Sequence, residues 1–137
     1  QSSPLTGAVV VTTPQDIALI DAKKGLKMFE KVNVPLLGII ENMSVFICPC
    51  CGEVTHIFGE GGAKRMSEQY GVPMLGELPL SPAIREAADS GRPTVAAEPE
   101  SAAAKMYRAI AMKIAGSIAK LGKDYTARMP TISVKND

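Results

Sequence analysis

Two runs of apolar, largely β-branched residues limit the folds open to this chain more than any other feature. They are GAVVVTT at 7–13 and LLGIIE at 36–41. Neither run alternates polar with apolar residues, so both are typical of strands buried on both faces of a sheet. A third such segment, VPMLGELP, follows at 72–79. Helix-like segments separate the three, and this alternation predicts an α/β fold with a parallel sheet covered by helices.

The predicted helices have recognisable first and last residues. In TTPQD, Thr13 can cap a helix, Pro14 suits the first helical position and Asp16 suits the positive end of the helix dipole. Gly71 can end a short helix in EGGAKRMSEQYG, and SPAIREAADSG repeats the pattern of a capping Ser followed by Pro. The longest helix is predicted in ESAAAKMYRAIAMKIAGSIAKLG, with Gly122 at its end.

A sheet of only three parallel strands is small for the amount of apolar surface that these segments and helices carry. The chain of 137 residues has no initiator Met and enters a buried-type strand almost at once. We therefore expect further strands of the same sheet upstream of Gln1, and an exposed apolar sheet edge or face next to Gly7–Thr12 or Leu36–Ile40. On this interpretation residues 1–122 form the C-terminal portion of one domain, and residues 123–137 form a polar tail.

Composition excludes several functional classes. The net charge is +1 and the basic residues are scattered, which argues against a nucleic-acid-binding face. No apolar run is long enough to span a bilayer, and no signal-peptide pattern is present, so no membrane association is expected. The three cysteines, crowded into four positions, cannot form a disulfide framework. Clustered thiols are typical of metal or redox chemistry in a reducing compartment, so we expect a cytoplasmic protein.

The cysteines lie in FICPCCGEVTHIF, at 46–58, which also contains the single histidine. Cys48 and Cys51 are spaced so that both thiols can face one metal, with Gly52 allowing the chain to turn beneath them. The flanking SVFI and EVTHIF segments can pair as a small hairpin. Cys50 is expected to point elsewhere, and His56 to be a hairpin residue. Zinc and iron–sulfur clusters require four ligands, so two thiols are half a site, and a second copy of the chain is the simplest source of the rest.

Four motifs, in this order, make the chain resemble a known family. TTPQDIALIDA, ENMS, CPxCG and IFGxGG together resemble the Mrp family of P-loop ATPases, which are iron–sulfur cluster carriers related to MinD. The resemblance covers about Leu5 to Leu121. It implies the C-terminal part of a doubly wound, mostly parallel sheet of the P-loop NTPase type, with the Cys-x-x-Cys hairpin as an insertion. The phosphate loop and the magnesium site of the family belong upstream of this sequence.

The resemblance also implies cofactors, partners and site residues. It implies that Cys48 and Cys51 hold a cluster, expected to be [4Fe-4S], between the subunits of a homodimer. Apo iron–sulfur proteins would receive the cluster, and ATP with Mg²⁺ would bind the longer protein. The family's adenine-reading Asn corresponds to Asn42, at the end of the second strand, where ligands bind in open α/β sheets. The stretch that closes over the base corresponds to Pro79, Leu80 and Arg85.

Less specific interpretations of these nucleotide-site residues stay open. Asn42 can be an ordinary strand-end turn residue, Arg85 a solvated helix residue, and Thr13 and Asp16 capping residues. The segment GEGGAKR contains Lys64 but lacks the G-x-x-x-x-G-K-[ST] pattern, so it is a candidate flexible helix entry rather than a phosphate loop. Without that loop and a magnesium carboxylate, this chain alone is expected not to hydrolyse ATP.

Three functions from different classes compete. The first is an iron–sulfur carrier and ATPase fragment. The second is a zinc-stapled dimerisation module without catalytic activity, and a thiol–disulfide switch between Cys48 and Cys51 is a related possibility. The third is a MinD-like membrane-positioning ATPase, which is disfavoured because the C-terminal segment contains Pro130 and little apolar periodicity.

Overall fold

The computed structural model describes residues 5–128, and the side chains of residues 5–121. Strands and helices alternate along most of the chain, as the sequence predicts, with one hairpin between the second and third strands of the main sheet. The elements are β1 (Ala8–Thr12), α1 (Asp16–Lys31), β2 (Leu36–Glu41), β3 (Phe46–Ile47), β4 (Val54–Thr55), α2 (Gly62–Tyr70), β5 (Met74–Glu77), α3 (Pro82–Asp89), α4 (Thr94–Ala97) and α5 (Ala102–Arg128).

The main sheet has three parallel strands in the order β1-β2-β5. Helices cover both of its faces, so the predicted doubly wound α/β architecture is confirmed. On one face α1 and α2 pack on the strands around Leu26, Ile39 and Met66, which are all nearly inaccessible to solvent. On the other face Ile110 of α5 packs against Leu75 and neighbouring residues of the sheet. Strand β2 is central and buried from Leu37 onward, as its sequence predicts.

The small hairpin is also confirmed. Strands β3 and β4 pair antiparallel, with Phe46 opposite Thr55 and Ile47 opposite Val54. Phe46 forms a further parallel bridge to Leu80, the third residue after β5. The hairpin is therefore joined to the end of the main sheet at its base.

Strand β1 differs from the prediction that it is buried on both faces. The side chain of Val11 is 58% exposed, whereas Val10 and Thr12 are buried. The reason is position: within the part of the chain that the structure describes, β1 is an edge strand, and α5 packs mainly on β2 and β5. The expected exposed apolar surface is therefore found at Gly7–Thr12, whereas Leu36–Ile40 is covered because β2 is the central strand.

Two predicted helix ends are wrong. Helix α1 begins at Asp16 with Gln15 as its N-cap, so neither Thr13 nor Pro14 has its expected role, and the Thr13 hydroxyl instead donates to the Gln15 side chain at 3.0 Å. Asp16 does lie in the first turn. Helix α5 continues through Gly122 to Arg128, across the predicted start of the tail, because one glycine costs a helix only about 1 kcal/mol. The rest of the predicted tail, residues 129–137, lies outside the described residues.

Other predicted ends are confirmed. Gly71 ends α2 in the left-handed conformation, at φ 64°. Ser81 is the N-cap of α3, with Pro82 following it in the first turn. Among the described residues, no helix has both the length and the apolar character needed to cross a bilayer.

Candidate metal and nucleotide site

The cysteine knuckle lies at the tip of the β3–β4 hairpin. Two backbone hydrogen bonds close it: the N–H of Cys48 donates to the carbonyl of Glu53 at 2.9 Å, and the N–H of Gly52 donates to the carbonyl of Cys48 at 2.8 Å. Gly52 has a φ of 74°, a conformation that glycine adopts without strain. The turn therefore holds Cys48 and Cys51 close together without any packed core beneath them.

The turn stabilises the thiolate form of Cys48. Its pKa lies below the ordinary value because the backbone N–H of Cys51, and then that of Cys50, hydrogen-bonds to its sulfur; the Cys51 thiol adds to this effect. Partial burial acts in the opposite direction and is outweighed. A thiolate is the form of cysteine that binds metals, so the knuckle is chemically suited to that role.

Cys50 and His56 are placed differently from each other. Cys50 lies in the same tight turn as Cys48 and Cys51, and the expectation that its thiol points away from this pair stays a prediction. His56 directly follows β4, and its Nε2 lies 3.7 Å from a carboxylate oxygen of Glu60, on the surface. Across the described residues, no group of three or more His, Cys, Asp or Glu side chains is arranged to hold a metal.

The chain segments that follow β2 and β5 continue side by side beyond the sheet. The N–H of Leu78 donates to the carbonyl of Glu41 at 2.8 Å, that of Ser44 to the carbonyl of Leu78 at 3.0 Å, and that of Leu80 to the carbonyl of Val45 at 2.8 Å. This short ladder runs from the end of β2 to the base of the hairpin. It brings the segment that starts at Asn42 beside the Leu78–Leu80 segment, and both lead towards the knuckle.

Asn42 occupies the predicted position at the carboxyl edge of the sheet. Its backbone N–H donates to the carbonyl of Thr12 at 2.7 Å, which fixes it beside the end of β1. Its side-chain oxygen accepts the backbone N–H of Met43 at 2.9 Å. Asn42, Thr12 and Thr13 line a cavity of about 460 Å³ that extends along the exposed edge of β1. Asn42 therefore borders this cavity, and its side-chain oxygen is already hydrogen-bonded to the neighbouring residue.

The remaining predicted nucleotide residues follow β5. Pro79 and Leu80 are half-buried. Arg85 lies on α3 with its side chain 66% exposed, and its guanidinium forms ion pairs with Asp89 at 3.1 Å and Glu86 at 3.5 Å. Ion pairs as exposed as these contribute little to stability, so the Arg85 guanidinium can leave them at a small cost in free energy.

Sequence reasoning missed Glu41, the last residue of β2. It is only 2% exposed, yet both of its carboxylate oxygens accept hydrogen bonds: Oε1 from the Ser44 hydroxyl at 2.7 Å and Oε2 from the Ala63 N–H at 3.0 Å. The signal was present in LLGIIEN, where an acidic residue interrupts a buried strand just before its end. A charge at such a position requires built-in partners.

The glycine-rich segment before α2 has a structural explanation. Gly59 and Gly61 have φ values of 112° and 73°, and a Cβ on Gly62 would lie 2.5 Å from a Leu19 methyl group, so α1 and α2 approach closely there. The first turn of α2 already binds the Glu41 carboxylate. An incoming phosphate would meet a negative charge at that place, which supports a helix entry rather than a phosphate loop.

Comparison with known proteins gives a consistent result. A family model described as ParA, NUBPL iron-transfer P-loop NTPase, matches residues 1–115. The chain is 57% identical over 118 residues to an iron–sulfur cluster carrier protein of Escherichia coli strain K12, covering 86% of this chain and 32% of that protein. It is 53% identical over 114 residues to the mouse iron–sulfur cluster transfer protein NUBPL, covering 83% of this chain and 36% of the mouse protein. The chain thus spans about a third of the length of these relatives.

Solved structures with the same fold include two nucleotide-related proteins. One is a nucleotide-binding protein from Archaeoglobus fulgidus, described as a complex with ADP in which Co was found; its TM-score is 0.56 at 39% identity, covering 64% of this chain and 36% of that one. The other is the cell-division ATPase MinD of Pyrococcus furiosus, with a TM-score of 0.60 at 31% identity, covering 85% of this chain and 43% of that one. These likenesses establish a P-loop NTPase type of fold.

Proposed function

The chain belongs to the family of NUBPL-type iron-transfer P-loop NTPases, and from that premise we infer that it carries an iron–sulfur cluster as cargo on Cys48 and Cys51. The observation that carries this inference is the knuckle itself. It supplies two neighbouring thiols, one of them with its pKa lowered by backbone N–H groups, at the tip of a hairpin whose strands have no fully buried residue. The names of the relatives, iron–sulfur cluster carrier and transfer proteins, support the same cargo.

The cluster is held between two copies of the chain. Two thiolates per chain leave half of the four positions of a cubane cluster open, and the described residues offer no third acidic, thiol or imidazole side chain to complete a site. A two-fold axis through the cluster supplies two more thiolates from identical residues. A [4Fe-4S] cluster held in this way is exposed, which suits a cytoplasmic carrier that hands its cargo to apo iron–sulfur proteins.

Nucleotide binding belongs to the same proposal. Asn42 recognises the adenine edge, Pro79 and Leu80 pack against the base, and Arg85 approaches once it leaves its surface ion pairs. The cavity beside Asn42 supports the role of that residue, and the ADP complex of the Archaeoglobus relative supports nucleotide binding in general. Pro79, Leu80 and Arg85 do not line this cavity, so their roles rest on the family resemblance. The Mg²⁺ and phosphate contacts require a phosphate loop, which this sequence lacks, so the isolated chain does not hydrolyse ATP.

Anaerobic reconstitution with iron and sulfide tests the cargo. The parent chain and its Cys50→Ser variant should gain the colour of a cluster, whereas Cys48→Ser and Cys51→Ser should lose nearly all bound iron. Cys50→Ser is the matched control because it removes a thiol from the same turn.

The second candidate function, a zinc-stapled dimerisation module, uses the same two thiols. Metal analysis of the protein as isolated separates the two functions. Zinc at half an equivalent per chain that resists exchange for iron and sulfide would favour the staple and contradict the carrier.

A further inference from the structure

Glu41 contacts both ends of the segment that contains the cysteine hairpin. Ser44, which donates to its Oε1, lies two residues before β3, where the chain enters the hairpin. Ala63, which donates to its Oε2, lies in the first turn of α2, where the chain returns from the hairpin to the body. One buried carboxylate therefore binds the chain on its way into the hairpin and on its way out.

The entering end of the hairpin is also held by the backbone hydrogen bonds of Ser44 and Leu80 and by the Phe46–Leu80 bridge, whereas the returning end has fewer other supports. The N-cap of α2 is Gly61, which has no side chain to satisfy the free N–H groups of the first turn, so the Glu41 carboxylate takes that role. On the entering side, the Ser44 side chain is as deeply buried as Glu41, at 2% exposure. The hairpin strands themselves have only two residues each and bury none of them fully. The orientation of the hairpin is thus set at its ends rather than along its length.

We propose that Glu41 is a positioning residue for the metal knuckle: its carboxylate fixes the direction in which the hairpin presents Cys48 and Cys51 to a second copy of the chain. This inference rests on the proposed function, because direction matters only if two knuckles must meet. The hydrogen bonds that shape the knuckle itself lie within residues 48–53 and do not involve Glu41. Loss of the Glu41 hydrogen bonds therefore leaves each knuckle intact but no longer fixes the direction of the hairpin that carries it.

The side-chain chemistry indicates which substitutions weaken the two hydrogen bonds of Glu41. In Glu41→Gln the single amide oxygen can accept from only one of the two donors, and the contact to Ser44 re-forms only if the Ser44 hydroxyl turns to accept from the NH₂ group. Neither hydrogen bond is then assisted by a charge, so both are weaker than those of the carboxylate. Ser44→Ala removes the entering contact alone and leaves the helix cap in place. Glu77→Gln is the matched control, because Glu77 is the register partner of Glu41 at the end of β5 and is exposed.

Cobalt(II) titration of the purified chain and these three variants distinguishes an effect on the direction of the hairpin from an effect on folding. The sulfur-to-cobalt absorbance measures thiolate binding, sedimentation measures the cobalt-dependent dimer that a chelator reverses, and thermal unfolding without metal measures the fold. We expect Glu41→Gln and Ser44→Ala to weaken the cobalt-dependent dimer about tenfold or more, the scale of one lost hydrogen bond to a charged group. Thiolate binding by the dilute monomer and all properties of Glu77→Gln should stay at the parent level.

The outcomes are distinguishable. If folded Glu41→Gln and Ser44→Ala dimerise with cobalt as tightly as the parent, Glu41 only supports the fold and the inference is overturned. If Glu41→Gln does not fold, Ser44→Ala alone decides. If the parent binds cobalt but forms no cobalt-dependent dimer, the shared site itself is wrong, and the positioning role falls with it.

Discussion

The sheet body and the cysteine hairpin of this chain are stabilised in opposite ways. The body has a central strand that is buried from Leu37 to Glu41, with helices on both faces. The hairpin has four strand residues, none fully buried, and an exposed tip closed by two backbone hydrogen bonds. Hydrophobic burial stabilises the first region, whereas the second has little to bury and gains its order from its attached ends and, when present, a metal. Stability and cargo binding should therefore respond to different mutations.

The largest expected difference between the regions is in folding stability. Ile39 of β2, at 0% exposure, packs in the core, whereas Val54 of the hairpin is 56% exposed. Ile39→Ala should lower the free energy of unfolding by about 2–5 kcal/mol, while Val54→Ala should change it by less than about 0.5 kcal/mol. Urea denaturation of the metal-free chain measures both. If Val54→Ala lowered the free energy of unfolding as much as Ile39→Ala, the contrast between the two regions would be contradicted.

The next effect concerns nucleotide binding at the body's carboxyl edge. A chimera in which this sequence replaces the matching 118-residue stretch of the Escherichia coli relative supplies an upstream segment. In that chimera Asn42→Ala should weaken ATP binding by about 1–3 kcal/mol, the size of a lost bidentate base contact, and reduce the preference for ATP over GTP. Calorimetric titration measures both affinities. Unchanged affinities would show that Asn42 is only a strand-end turn residue.

Substitutions of two glycines, one in each region, should distinguish the hairpin from the body by a smaller change in free energy. Gly52 has φ 74° in the knuckle, and Gly25 lies in α1 with open space where a Cβ would be. Gly52→Ala should weaken metal binding by about 1–2 kcal/mol, because an alanine there is strained. Gly25→Ala should stabilise the fold by about 0.5–1 kcal/mol without affecting metal binding. The reverse assignment, with metal binding sensitive to position 25, would contradict the separation of the two regions.

The last prediction concerns the exposed sheet edge, where only a small change in stability is expected. Val11 is 58% exposed on β1, an edge strand among the described residues. Val11→Lys should alter the free energy of unfolding by only about 0.5 kcal/mol, yet reduce metal-independent self-association, because charged residues protect strand edges. Light scattering of the metal-free chain at increasing concentration measures this. If the parent chain itself stays monomeric, the exposed edge is less adhesive than its composition suggests.

The sequence predicted the body better than the hairpin's connections. Apolar runs located all three main strands, because burial dictates residue type directly. The exposure of Val11 was missed, since composition does not report which neighbours cover a strand. The ends of α1 and α5 were missed because several local sequences can begin or end a helix at similar cost.

At the site, Cys48 and Cys51 could be identified because their spacing is local. The role of Glu41 could not be predicted, because its partners Ser44 and Ala63 are 3 and 22 residues away and only the fold brings them together.

The number of chains per cluster tests the central claim most directly. Native mass spectrometry of the anaerobically reconstituted Val11→Lys variant avoids association through the sheet edge. The half-site predicts one [4Fe-4S] mass for every two chains, with the dimer lost when Cys48 or Cys51 is changed to Ser and retained in Cys50→Ser. A single chain that retains a complete cluster would contradict it.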